Sequence, residues 1–109
     1  MSVPLRERHA RPGKVPKLSE AELGAGLAEI PKWTRSGERL THMLKFRDFK
    51  ALMQFVNRMA ELAEAENHHP DFAVHYSQLD ISLWTHDAGG LTENDLVLAA
   101  KIDALGPPG

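Results

Sequence analysis

The chain contains no cysteine. That removes disulfides, thiolate nucleophiles and cysteine-ligated zinc or iron–sulfur sites together, and it fits a reducing, cytoplasmic setting. No apolar run approaches the roughly 20 residues of a membrane span, so no membrane partner is expected. The stretch from Met1 to Lys17 lacks the apolar core of a secretory signal. No basic stripe is interleaved with aromatics, and the net charge is only −2 at pH 7, so no nucleic-acid partner is expected either. No Gly-rich loop joins a strand to a helix, which leaves phosphate cradling unsupported. There is no internal repeat beyond a loose αββ recurrence.

What is present is enough for one domain. A chain of 109 residues buries roughly two-thirds of its unfolded surface and needs no staples. Residues 1–17 carry Arg6, Arg8, Arg11, Lys14, Lys17 and three prolines. This composition reads as a flexible basic tail. Glu7 and the prolines do not suit an amphipathic targeting helix. The domain is expected over 18–105, with 106–109 a short C-terminal tail.

Within it, Ser19 and Glu22 form a capping box, and Leu18 and Leu23 a hydrophobic staple. Leu23, Leu27 and Ile30 follow at helical spacing up to Pro31. Trp33 to Glu38 reads as a short strand entering a turn at Gly37. Arg39 to Phe46 alternates, with Leu40, His42, Leu44 and Phe46 on one face. Asp48 caps the longest helix, whose apolar stripe is read as Phe49, Leu52, Met53, Val56, Ala60 and Ala63. Pro70 stops it and pushes His69 into extended backbone. Phe72 to Tyr76 is a third strand, Ser77-Gln78 a turn, and Leu79, Ile81 and Leu83 the apolar face of a fourth. Thr92 with Asp95 caps the last helix, with Leu91 and Leu96 as its staple. The order α-β-β-α-β-β-α predicts an α+β fold: a four-stranded antiparallel sheet with the helices on one face.

The chemistry-bearing residues are His68, His69 and His86. Imidazole is the side chain that gives and takes a proton near neutral pH. His68 falls near a helix end, where the carbonyl dipole favours a cation. Glu64 lies one turn earlier and is placed to orient it. Three histidines also suit zinc with one open position. Adjacent ligands at a kinked junction rarely reach one tetrahedral centre, which tilts the balance towards proton transfer without closing the question. His9, His42 and His75 receive no role. Trp33, Phe46, Phe72 and Trp84 are core or interface candidates, of which one or two could stack on a flat heterocycle.

The run Glu64 to Phe72 with its His68-His69-Pro70 centre, then Thr85-His86-Asp87 and the stretch Gly90-Leu91-Thr92 to Asp95, resembles the pterin-4a-carbinolamine dehydratase family. The likeness extends from about Leu18 to Leu105. It implies dehydration of 4a-hydroxytetrahydropterin to quinonoid dihydropterin, with no metal and no cofactor. It implies His68, His69 and His86 as catalytic residues. Glu64, Pro70, Phe72, Thr85, Asp87 and Asp95 are the implied substrate-binding or supporting positions. It further implies a homodimer or homotetramer, and a place in tetrahydropterin recycling beside an aromatic amino acid hydroxylase. The same scaffold serves non-enzymatic roles, as a coactivator or an assembly-factor-like module, so that reading stands as the alternative. Trp84 departs from the family pattern, where a smaller residue is expected.

Overall fold

A computed structural model describes residues 3–106. Helix α1 (Glu20–Leu27) is followed by β1 (Thr34–Ser36), β2 (Arg39–Lys45) and helix α2 (Phe49–Glu66). Then come β3 (Asp71–His75), β4 (Gln78–Leu83) and helix α3 (Glu93–Asp103). The expected α+β architecture is what forms. The four strands make one antiparallel sheet in the order β1-β2-β4-β3. The two hairpins therefore join through β2 and β4, with Leu40 opposite Leu83 and Leu44 opposite Leu79.

Local signals set most element ends. The α1 capping box is present in both directions, Ser19 N–H to Glu22 Oε1 at 2.9 Å and Glu22 N–H to Ser19 Oγ at 3.2 Å. Asp48 accepts from the Ala51 N–H at 2.8 Å. Helix α1 stops at Leu27, before Pro31, so buried Ile30 lies beyond it. The second hairpin turns on Tyr76 and Ser77, one residue earlier than expected, with His75 paired to Gln78 and Tyr76 at φ 55°.

Alternation gives the sheet one covered face. Leu40, Leu79, Ile81 and Leu83 pack against Leu52, Phe55, Val56 and Met59 of α2 and against α3. Each such side chain contributes about 1.5–3 kcal/mol by leaving water. The buried stripe of α2 is rotated from the expected one. Phe49 and Ala60 face solvent, while Phe55 and Met59 are inside. Both stripes fit helical spacing; the ring of Phe55 against Phe46, 5.4 Å between centroids, belongs to the observed phase.

The segment expected to be a flexible tail is laid across the domain from residue 3 onward; Met1, Ser2 and residues 107–109 lie outside the described residues. Helix α3 is buried on nearly every side, and the sheet covers only one of them. The N-terminal segment covers another. Leu5 and Val15 are its apolar anchors. The Ala10 N–H donates to Glu66 Oε1 at 2.7 Å. Arg11 and Asn94 exchange two hydrogen bonds, of 2.9 and 3.0 Å. Arg8 pairs with Glu93 at 2.9 Å, and Lys101 donates to the Arg6 carbonyl at 3.0 Å. Burial raises the Glu66 pKa, but the Ala10 N–H, His9 and Lys101 more than offset this and hold it below the usual carboxylate value. A polar composition thus hides a segment fixed by two apolar residues and a row of specific bonds. Among the described residues, no helix is long and apolar enough to cross a membrane.

Two glycines of α1 give opposite expectations. Alanine in a helix interior gains about 0.5–1 kcal/mol over glycine. At Gly24 a Cβ meets nothing within 4 Å, so Gly24→Ala should stabilise by that amount. At Gly26 a Cβ would overlap the Cδ1 atom of buried Leu96. Overpacking of this kind costs about 1–3 kcal/mol, which outweighs the helix gain. Urea denaturation should place the two variants on opposite sides of the parent. His42 supplies a pH test. Burial pushes its pKa down, Asp103 opposes and Lys32 reinforces. As pH falls through the unfolded value of about 6.5, the unfolded chain takes the proton first and stability is lost. His42→Gln should make denaturation midpoints less sensitive to acid between about pH 7.5 and about pH 5.

Candidate active site

Helix α2 ends before its proline. Asn67 adopts the left-handed conformation at φ 52°, and the Asn67 and His68 N–H groups return to the Glu64 and Ala63 carbonyls at 3.3 and 3.2 Å. This closing turn sends the two neighbouring histidines in different directions. The His68 ring turns inward, its side chain only 13% exposed, and its Nε2 lies 2.6 Å from Asp95 Oδ1. The His69 ring stays at the surface, with Nε2 2.5 Å from Glu64 Oε2. Glu64 therefore holds His69 and not His68 as expected. The helix ends at Glu66, so the one-turn spacing between Glu64 and His68 does not bring those side chains together.

Asp95 is the partner of His68, and it is fully buried. Its Oδ2 accepts from Thr85 Oγ1 at 2.7 Å and from the Thr92 N–H at 2.9 Å. Thr92 Oγ1 lies 2.8 Å from Thr85 Oγ1. The Thr85 proton is committed to Asp95, so Thr92 is the donor to Thr85. Three donors thus converge on one carboxylate, which is what a buried acid requires. With that carboxylate accepting at Nε2, the His68 proton sits on Nε2 and Nδ1 keeps the lone pair.

His86 arrives from the other side. β4 ends at Leu83, an isolated bridge pairs Thr85 with Gly90, and His86 opens a single 3-10 turn, His86–Ala88. Its ring stands edge-on to Trp84, 5.2 Å between centroids at 70°. The Trp84 indole N–H donates to Asp71 Oδ2 at 3.3 Å, and the Arg39 guanidinium lies 4.6 Å from the ring centroid. These contacts fix one wall. His68, His69 and His86, with Asp71, Trp84, Thr85 and Asp87, line one cleft of about 410 Å³.

The other expected positions fall outside the lining. Asp95 acts from behind His68, Glu64 from beside His69, and Pro70 does not face the cleft. Phe72 is half exposed on edge strand β3 and borders a hollow on the sheet instead. Its register with Ile81 puts it on the helix-covered face of the sheet, whereas its neighbour Asp71, opposite Ser82, points to the other face and lines the cleft. Trp84, expected as a core or interface residue with stacking on a heterocycle as the alternative, is a cleft residue. Its place directly before Thr85-His86 was the available signal. Asp71 and Arg39, which brace it, come together only through the sheet. Among the described residues, no three His, Asp or Glu side chains are arranged to hold a metal ion.

Comparison with known proteins adds a family. The model of a family described as pterin 4 alpha carbinolamine dehydratase matches residues 16–105. A Thermomicrobium roseum protein bearing that dehydratase name provisionally is 45% identical over 89 residues, covering 82% of this chain and 96% of its own. A protein of the same provisional name from Stenotrophomonas maltophilia is 44% identical over 107 residues, covering 94% of this chain and 92% of its own. Among solved structures, a transcriptional coactivator/pterin dehydratase from Brucella melitensis superposes with a TM-score of 0.77 at 33% identity, covering 82% of this chain and 97% of its own. A pterin dehydratase-like protein described as a RuBisCO assembly factor in the alpha-carboxysome shares the fold, with a TM-score of 0.61 at 23% identity over 72% of this chain and 93% of its own. By its sequence match, its relatives and its fold, this chain belongs to the pterin 4 alpha carbinolamine dehydratase family.

Proposed function

We propose that the chain is a hydro-lyase that converts 4a-hydroxytetrahydropterin to quinonoid dihydropterin by histidine acid–base catalysis. The observation that carries this reading is the cleft itself: three imidazoles around one space, one of them fixed by a buried carboxylate. The reaction needs two proton movements. A proton must reach the 4a hydroxyl as its C–O bond breaks and water leaves. Another must leave N5 as the C4a=N5 double bond forms. His68, with its Nε2 proton held by Asp95, offers Nδ1 as the base. His86, exposed and with no hydrogen bond to its ring among the described residues, is the group to protonate the leaving oxygen. His69, tied to Glu64, orients the ring. Both proton carriers then exchange with water at the cleft mouth. In this reading the protein recycles tetrahydropterin in the cytoplasm, downstream of an aromatic amino acid hydroxylase, with no metal or organic cofactor.

A binding module on the same scaffold is favoured only by the names of the two solved relatives. Such a module has no use for an aligned imidazole, whereas an enzyme does. We also propose a homodimer or homotetramer, since β1 and β3 are open edges of the sheet, and β3 carries half-exposed Phe72 next to exposed Ala73.

With the carbinolamine generated in situ by a hydroxylase, its ultraviolet absorbance should decay faster with the protein than in buffer. General acid–base catalysis contributes about 10²–10⁴-fold, so His68→Ala and His86→Ala should each lower the rate by about that much. Asp95→Asn should lower kcat through the wrong His68 tautomer. No acceleration by the parent protein would sink the enzymatic reading, and full activity in both histidine variants would sink the assignment. Sedimentation should find a species heavier than the 12.1 kDa chain; a monomer alone at micromolar concentration would refute the assembly.

A further inference from the structure

A second hollow, of about 680 Å³, adjoins the cleft. The N-terminal segment from Arg11 to Lys17 forms one wall, and Asn67, His68, Thr85 and Asp87 form much of the other. His68, Thr85 and Asp87 line both spaces. The segment is nailed at both ends of this wall. Arg11 is held by its two bonds with Asn94. The Leu18 N–H donates to the Leu91 carbonyl at 2.9 Å, and Lys17 pairs with Glu38. Between these points the chain arches. Pro12 and Pro16 have no N–H to give, Gly13 takes φ 75°, and Val15 points into the protein.

Charge in the hollow is selectively spent. Arg11 faces Glu93 at 3.4 Å, and Lys17 faces Glu38. Lys14 and Asp87 have no ion-pair partner among the described residues, though both line the space. Among the described residues the hollow thus presents one unpaired cation, Lys14, and one unpaired anion, Asp87, beside amide and hydroxyl groups. That pairing does not suit a purely anionic ligand, which Asp87 would repel. It suits a neutral group carrying several hydroxyls, each able to donate and accept.

Such a group has a natural source if the cleft binds a pterin. The variable substituent of a pterin sits on C6, two bonds from the reacting C4a. With His68 as the base at N5, the adjoining C6 lies on the His68 side of the cleft, where the second hollow opens. Resting on the proposed dehydration, we infer that the N-terminal segment forms a subsite for a hydroxylated C6 side chain, read by Lys14 and Asp87. The segment is then a specificity element, and Lys14 is its reading residue.

The test compares two carbinolamines generated in situ, one with a 6-methyl group and one with a dihydroxypropyl side chain. It is run on the parent and on Lys14→Ala, with circular dichroism to verify folding. Binding of the stable 7,8-dihydropterins with the same two side chains is measured in parallel. A lost charged hydrogen bond weakens binding by about tenfold or more. The parent should favour the hydroxylated compound in KM and in affinity, and Lys14→Ala should lose most of that preference. An equal preference in parent and variant, or none in the parent, overturns the subsite. If neither carbinolamine is dehydrated, the enzymatic reading fails, and the affinities alone decide the subsite.

Discussion

One buried carboxylate ties the molecule together. Asp95 closes the cap of α3 through the Thr92 N–H, holds the end of β4 through Thr85, and receives His68 from the end of α2. Three elements that are distant in sequence thus meet on two oxygen atoms. Stability and chemistry share this group, because a carboxylate taken out of water must find donors. The donors that satisfy it are also those that set the position and tautomer of an imidazole. Replacing Asp95 would leave an unsatisfied cap and an unoriented ring at the same time.

Much of this was legible from residues alone. Ser19 with Glu22 and Thr92 with Asp95 mark helix starts by a local rule, and local rules survive folding. The alternation in Arg39 to Phe46 and Leu79 to Leu83 marks which face is buried. What could not be read is what depends on partners far along the chain. Residues alone mark Asp95 as a helix cap, because a cap is local, and the resemblance marks it as a supporting position; its hold on His68, 27 positions away, is set by the fold. With Pro70 as the helix stop Glu64 falls one turn before His68; Asn67 ends the helix earlier, and Glu64 meets His69 instead. The stripe of α2 allowed two phases, and tertiary packing chose between them. Residues 3–17 read as a tail because sequence hydrophobicity cannot see hydrogen bonds to Glu66, Glu93 and Asn94.

Trp84 belongs to the same lesson. A large aromatic after an apolar strand is ordinarily a packing residue. Here its indole N–H is held by Asp71, the Arg39 guanidinium lies over its ring and pairs with the same Asp71, and the ring packs against His86. The residues that make it part of a cleft sit on β2 and β3, which flank β4 in the sheet. The sheet order brings a cation from β2 and an acid from β3 together against one indole.

The N-terminal segment reverses the order in which the chain is made. Leu5, Arg6, Arg8, Ala10 and Arg11 find their partners on Glu29, Glu66, Glu93, Asn94 and Lys101. Most of those partners lie on or beside α3, which is synthesised after the rest of the domain. During translation, at roughly 5–20 residues per second, Leu5 leaves the ribosome early and has no burial site until α3 follows. The segment therefore precedes α3 on the ribosome and is fastened only after it. Once fastened, it latches the first and last parts of the domain to each other, so neither end can fray without releasing its hold on the other.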